Sequence, residues 1–288
     1  MAAPFLKWAG GKWRLAPVIA GAIAGLPVQR YLEPFLGGGG MFFGLRRRGL
    51  AAPAVLNDAD PALMLTFRQV RDAPGAVIAA LERLASEYLA AGHAERAALY
   101  YRVRASEPDD EAEQAARLIF LNRTCYNGLY RLNRRGQFNV PHGRYARPLI
   151  CDAEKLRACS EALRSADLRC GDFAEVCELA GPGDFVYLDP PYVPLSATSN
   201  FTAYTGDRFG PAEQARLARA VRELAGRGAW FALSNSALPE VEELYRGFSF
   251  RTVTMPRAIN SRPSLRAPVA EYLVTNLPAR AGEATAAG

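Results

Sequence analysis

"DFVYLDPPYVPLSAT", residues 184–198, starts as an apolar run and breaks into an acid, two prolines and a tyrosine. Phe185, Val186, Tyr187 and Leu188 are consecutive β-formers, the pattern of a strand covered on both faces. Pro190 and Pro191 cannot extend that strand, and each fixes its own φ and restricts the residue before it. The stretch therefore predicts a parallel strand holding the Asp189 carboxylate at its carboxyl end. Ligands in open α/β sheets bind at that edge.

The same grammar recurs on both sides. "RYLEPFLGGGGMFFGLRRRG" (30–49) reads as a strand, a glycine turn and a helix, and "AAPAVLNDAD" (51–60) as a second strand ending in acids. "LRCGDFAEV" (168–176) and "AWFALSNS" (229–236) read as sheet segments, with a helix predicted over "FGPAEQARLARAVRELAGRG" (209–228). From Pro61 to Thr124 the pattern is helical, with Val77, Ile78, Leu81, Leu84, Tyr88 and Leu89 at i, i+3, i+4 spacing. Further helices are predicted over 95–105 and 111–122. "CYNGLYRLNRRGQFNVPHGRY" (125–145) carries Asn-Gly, Arg-Gly and Pro punctuation and predicts loops or a hairpin. The fold class is thus α/β: a Rossmann-like sheet interrupted by a mainly helical insert. Residues 1–62 and 148–278 form one expected domain, 63–147 the insert, and 279–288 a disordered tail.

A chain of 288 residues that is 50% hydrophobic supports a sizeable core. No apolar stretch reaches the ~18 residues of a membrane span, and the N-terminus resembles no signal peptide. Five scattered cysteines without a C-x-x-C pair, and two histidines, argue against a zinc site and point to a reducing cytoplasm. Net charge is +6, and seven arginines (117, 123, 131, 134, 135, 144 and 147) lie between Ala115 and Cys151 without one acid. That segment carries +7, so the remainder sums to −1. Such a patch is the footprint expected for a nucleic-acid backbone, a solvated arginine face being the alternative.

Three stretches bear on chemistry. Gly37 to Gly40 follow a strand and open a helix, and Asp58 lies 18 to 21 residues on, a spacing that suits ribose hydroxyls of NAD, FAD or S-adenosylmethionine. "FLKWAGGKWR" (5–14) holds two of only three lysines, which suggests a need for compact ammonium groups there. The third is Asp-Pro-Pro-Tyr. The exocyclic amine of adenine is a poor nucleophile because its lone pair is delocalised into the ring. An enzyme that alkylates it must accept hydrogen bonds from both N–H groups, which the Asp189 carboxylate and the Pro190 carbonyl can do while Tyr192 stacks on a flipped base.

From residue 4 to 277 the chain resembles the Dam-type DNA adenine-N6 methyltransferases. The likeness rests on "FLKWAGGK", "YLEPFLGGGG", "LNDAD", "LNRTCYNGLYRLNRRGQFNVPHGRY", "VYLDPPYVPLSATSNFTAY" and "LSNS", in the order of the subgroup whose recognition insert precedes DPPY. It loosens after Thr252, where a Ser/Arg loop and a closing strand remain. The resemblance implies S-adenosylmethionine held by Trp8, Lys12, Glu33, Phe35, Gly37, Gly39, Asp58 and Asp189, with Asp189, Pro190 and Tyr192 catalytic. Double-stranded DNA would be met by Lys7, Arg123, Tyr126, Asn127, Leu129, Arg131, Asn133, Asn139, Pro141 and Arg144. Among these, Tyr126 would insert into the duplex, Asn127 and Arg144 would bind phosphates, and Leu129, Arg131 and Pro141 would read base edges. A monomer acting on GATC is expected, a longer site such as GATATC in a restriction pair being the alternative. Cytosine-N4 transfer, a non-catalytic DNA-binding scaffold and an NAD oxidoreductase fit fewer of these features.

Overall fold

The computed structural model describes residues 1–193, 209–255 and 269–278. The expected tail at 279–288, the loop 256–268 and all of "PLSATSNFTAY" (194–204) lie outside the described residues.

Five strands run parallel: β1 (Arg30–Glu33), β2 (Ala54–Asp58), β3 (Ala166–Cys170), β4 (Asp184–Leu188) and β5 (Trp230–Ser236). β6 (Ser249–Met255) and β7 (Val269–Thr275) close the sheet antiparallel, in the order β3-β2-β1-β4-β5-β7-β6. Chain direction along the sheet reverses between β1 and β4, the switch point at which a crevice opens beyond the carboxyl ends. The Rossmann-like architecture expected from the sequence is the one observed.

Side-chain alternation explains why the strands read as continuous apolar runs. Tyr31, Phe185 and Tyr187 face one core, while Leu32, Val186 and Leu188 face a second core on the other side. The first core takes in α1 (Ala16–Ile23), α2 (Gly40–Arg46), α3 (Pro61–Asp72), α4 (Pro74–Ala90), α5 (His93–Ala105), α6 (Glu111–Thr124) and α7 (Ala153–Leu163). The second is covered by α8 (Phe173–Glu178), α9 (Pro211–Gly226) and α10 (Pro239–Leu244). The helices of the insert thus share one core with the sheet.

Caps place several of these helices. Asp60 accepts from the Leu63 amide at 3.0 Å to start α3, and Asp110 does the same for α6 from Glu113 at 2.9 Å. Each such cap contributes about 1 kcal/mol. Sequence reading did not anticipate β6, α1, α7, α8 or α10; only the start of "LRCGDFAEV" is strand, because Asp172 accepts from the Ala174 amide and caps α8 over the rest. Among the described residues β6 is an edge strand with polar alternation that pairs only with β7, so its signal lies in its partner. Among the described residues, no helix is long and apolar enough to cross a membrane, and no cluster of His, Cys, Asp or Glu could hold a metal ion.

Candidate active site

The ends of β1, β2 and β3 are stitched together by Asn57, whose Nδ2 donates to the carbonyls of Pro34 (3.0 Å) and Gly171 (3.1 Å). The glycine turn follows. Gly37 and Gly39 have φ of +50° and +69°, a region that favours glycine. The Gly37 amide donates to Asp58 Oδ2 at 2.9 Å, and the Asp60 amide to Asp58 Oδ1 at 3.1 Å. Trp8 lies against this turn: a Cβ on Gly37 would stand 2.6 Å from its Nε1, and one on Gly38 2.7 Å from its Cβ. Burial pushes the Asp58 carboxyl up to about 6, against the stabilising pull of the Gly37 and Asp60 amides. Phe35 stacks on Phe173 at 5.2 Å. Amides, a carboxylate and ring faces gathered at adjacent strand ends suit a ribonucleoside with a flat base.

Glu33 closes β1 from below and is buried, its Oε2 accepting from the Tyr31 hydroxyl at 2.6 Å. Burial raises its pKa to about 8; the Tyr31 bond opposes this, and the Asp189 charge adds to it.

Asp189 follows β4 directly, as the strand reading requires. Its neighbour Lys12 is only 4% exposed and sits 3.5 Å from Asp189 Oδ1 and 3.2 Å from Glu271 Oε2. The same Glu271 oxygen accepts from the Tyr192 hydroxyl at 2.9 Å, and the Lys12 ammonium lies 4.6 Å above the Tyr192 ring. Two carboxylates therefore share one buried cation. Burial raises the Asp189 carboxyl to about 6, with Lys12 lowering it and Glu271 raising it.

The loop carrying Pro190 to Val193 is fixed from α9 and β5. Gln214 donates to the Pro191 carbonyl at 2.7 Å, Ser236 to the Val193 carbonyl at 2.7 Å, and the Val193 amide donates to Asn235. No hydrogen bond from the described residues reaches the Pro190 carbonyl. An acceptor beside Asp189 is thus left for an incoming donor.

The basic stretch forms an irregular hairpin, with bridges Cys125↔His142 and Leu132↔Phe138. Helical side chains, two of them buried tyrosines, hold it in place of a ladder. Tyr100 donates to the Val140 carbonyl (2.7 Å), Tyr88 meets His142 (2.7 Å), and Arg96 donates to the Ala146 carbonyl (2.8 Å). The start of the hairpin is a single 3-10 turn, Tyr126–Gly128, where Asn127 (φ 55°) is the only non-glycine residue at positive φ among those described. Asn tolerates that region better than most residues. Tyr126 is 47% exposed at its tip.

Buried Asn122 joins this turn to the N-terminal segment. It accepts from the Lys7 amide (2.7 Å) and donates to the carbonyls of Lys7 (2.9 Å) and Gly128 (3.2 Å). Lys7 thereby lies beside Gly128, its ammonium 4.6 Å above the Tyr145 ring.

The seven arginines separate into groups. Arg117 donates to the carbonyls of Val103 and Arg104, and Arg123 to that of Phe5, so both are drawn into the protein. Arg131 binds the Asn139 side chain and carbonyl across the hairpin. Asn133 shapes the tip, accepting from the amides of Arg135 and Gln137. Arg134, Arg135, Arg144 and Arg147 are exposed, and their guanidinium groups have no partner among the described residues; Leu129 and Pro141 lie on the same hairpin.

Glu271, Asn122 and Tyr130 escaped the sequence reading. Glu271 is a lone acid inside the apolar run of β7, and Asn122 a lone amide on the inward face of α6. A polar residue in an apolar face is the signal that could have found both.

Comparison with known proteins bears on this geometry. The family model of the D12 class N6 adenine-specific DNA methyltransferases matches residues 8–259. The type II methyltransferase M.MjaIII of Methanocaldococcus jannaschii is 40% identical over 287 residues, covering 95% of this chain and 98% of that protein. The type II methyltransferase M1.LlaDCHI of Lactococcus lactis subsp. cremoris is 39% identical over 282 residues, covering 95% of each. The DNA adenine methylase of Escherichia coli is 34% identical over 277 residues, again covering 95% of each. With DPPY at the end of β4 and the glycine turn at the switch point, the chain belongs to the D12 class of N6 adenine-specific DNA methyltransferases.

Proposed function

We propose that this methyltransferase acts on N6 of an adenine flipped out of duplex DNA, within GATC, with S-adenosylmethionine as methyl donor. The observation that carries the reading is the Asp189 carboxylate next to the Pro190 carbonyl, which no hydrogen bond from the described residues reaches, at the sheet edge that also holds the glycine turn.

S-adenosylmethionine, when bound, supplies an electrophilic methyl on a sulfonium. Its ribose hydroxyls would meet Asp58, which has lone pairs beyond the two amide bonds it accepts, and its rings would meet Trp8 and Phe35. Glu33, Gly37, Gly39 and Lys12 complete that side. The carboxylates around Lys12 suit a cationic donor, since two negative groups share one positive one. Asp189 and the Pro190 carbonyl accept the two N–H bonds of the adenine amine and draw its lone pair out of the ring. Tyr192 carries the Lys12 ammonium on one face of its ring, so a flipped base would stack on the other. The rest of the work is positioning, which holds the amine in line with the methyl at about 3 to 3.5 Å.

Residues 63–147 serve as the target-recognition part and the remainder as the catalytic part, in a monomer working in the cytoplasm. Tyr126 fills the space left by the flipped base, and Lys7, Leu129, Arg131 and Pro141 read base edges. Asn127 and Arg144 take phosphates, Asn133 and Asn139 hold the hairpin in shape at the DNA, and Arg123 ties the end of α6 to the N-terminal segment that carries Lys7. The two relatives at 40% and 39% identity are both type II methyltransferases. That favours a restriction–modification setting, with a longer related site such as GATATC as the second reading.

The test is single-molecule sequencing of DNA from an adenine-methylation-free host expressing this chain. N6-methyladenine at every GATC is the expected result. Modification confined to a longer motif would select the second reading, and modified cytosine would overturn both.

A further inference from the structure

Resting on that reading, we propose that Tyr130 is a positioning residue that links cofactor binding to discrimination of the DNA target. Tyr130 stands in the chain between Leu129 and Arg131, two of the four residues proposed to read base edges. Leu129 has polyproline-II backbone (φ −71°, ψ 148°), in which adjacent side chains point in different directions. Tyr130 turns inward, onto Trp8 and Asp60 at the cofactor edge of the sheet.

Its contacts close a ring. The Tyr130 ring stacks on Trp8 at 5.0 Å between centroids and 27° between planes. Its hydroxyl donates to Asp60 Oδ2 at 2.6 Å. The Asp60 amide donates to Asp58 Oδ1, and Asp58 Oδ2 accepts from Gly37. Gly37 and Gly38 lie against the Trp8 indole, which returns to Tyr130. On its other side the ring meets Phe138 edge-on at 5.8 Å, inside the hairpin. Asp60 also caps α3 through its second oxygen, which holds its carboxylate still while Tyr130 bonds to it.

Three of the residues in this ring, Trp8, Gly37 and Asp58, are among those proposed to touch the cofactor. A cofactor that orders them orders Tyr130, and with it the backbone of Leu129 and Arg131. A correctly read site, which orders the same backbone, returns the favour through Tyr130 to Trp8. Linkage of this kind is reciprocal: each ligand must change the affinity of the other by the same factor. The stack on Trp8 and the bond to Asp60 are separable contributions, because phenylalanine keeps the first and lacks the second.

The experiment uses the full chain as wild type, Tyr130→Phe and Tyr130→Ala, with thermal unfolding to show that each variant is folded. Affinity for S-adenosylhomocysteine is measured alone, with a GATC duplex, and with a duplex differing by one base pair. In the wild type the GATC duplex should tighten S-adenosylhomocysteine by a factor of about 5 to 150, and the altered duplex by much less. Tyr130→Phe should shrink that factor severalfold and Tyr130→Ala should bring it close to one. The kcat/KM preference for GATC over the altered site should fall in step. Adenine methylation by the wild type with the same linkage factor in all three proteins would overturn the proposal. Absence of adenine methylation by the wild type would instead overturn the assigned activity.

Discussion

The carboxyl edge of the sheet and the hairpin over residues 125–147 treat charge in opposite ways. At the sheet edge the charges answer one another within the protein: Lys12 lies between Asp189 and Glu271, and Asp58 accepts two backbone amides. In the hairpin, the guanidinium groups of the exposed Arg134, Arg135, Arg144 and Arg147 have no partner among the described residues. The reason is physical. A charge that must act on a reacting group works best when fixed in a dry, preorganised setting. One that must meet phosphates has to stay hydrated until a second molecule arrives. Arg117 and Arg123 show that net charge alone does not distinguish the two, because they lie in the basic stretch and yet serve the interior.

The strongest way to break this comparison is at Asp189. Asp189→Ala should lower turnover by about 10²–10⁴-fold, the range for a positioned group handling protons. DNA affinity should hardly change, since the phosphates are met elsewhere. In the wild type the carboxylate form is the acceptor, so kcat/KM should rise with pH through about 6. Turnover of the alanine variant within tenfold of wild type would remove Asp189 from the chemistry.

Glu33 tests how dry the edge is. Its folded pKa of about 8 stands above the ordinary value of 4.5. Between those values the folded chain holds a proton that the unfolded chain has released. Its contribution to stability is therefore full below pH 4.5 and is lost as pH rises through 8, by up to about 1.4 kcal/mol per pH unit. Glu33→Gln should abolish that slope in thermal unfolding followed from pH 5 to 8.5. Parallel pH profiles for the two proteins would mean that Glu33 is already ionised at neutral pH.

Arg131 lies between the two regimes, held within the hairpin by Asn139 yet proposed to reach a base. A bidentate Arg–guanine pair discriminates by about 1 to 3 kcal/mol. Arg131→Ala should relax preference at one outer guanine·cytosine pair, measured as kcat/KM ratios for GATC against its single-substitution variants. Unchanged ratios with a lower overall rate would make it a phosphate clamp.

The smallest effect separates outward from inward arginines. Arg144→Ala should weaken all sites about equally and reduce the slope of log affinity against log salt by about 1. Arg117→Met should leave the slope unchanged and lower the melting temperature, because it removes donors from two backbone carbonyls. Equal slopes for the two variants would dissolve the distinction drawn here.

Much of this was legible along the chain because the signals are local. A continuous apolar run halted by two prolines specifies a buried strand with Asp189 at its end, and four glycines after a strand specify a turn that opens a helix. The basic stretch likewise announced its irregularity through Asn-Gly, Arg-Gly and Pro. What no stretch could show is which distant residues meet. Glu271 reaches Lys12 because β7 runs antiparallel beside β5, a pairing between segments far apart in the chain. Lys7 stands beside Gly128 because Asn122 bonds to both, and Tyr130 stacks on Trp8 because four helices bring the hairpin back over the glycine turn. Partition of the seven arginines into inward and outward groups also waited on tertiary structure. Identical side chains share one local signal, and only the carbonyls that the fold places within reach decide which of them are drawn inside.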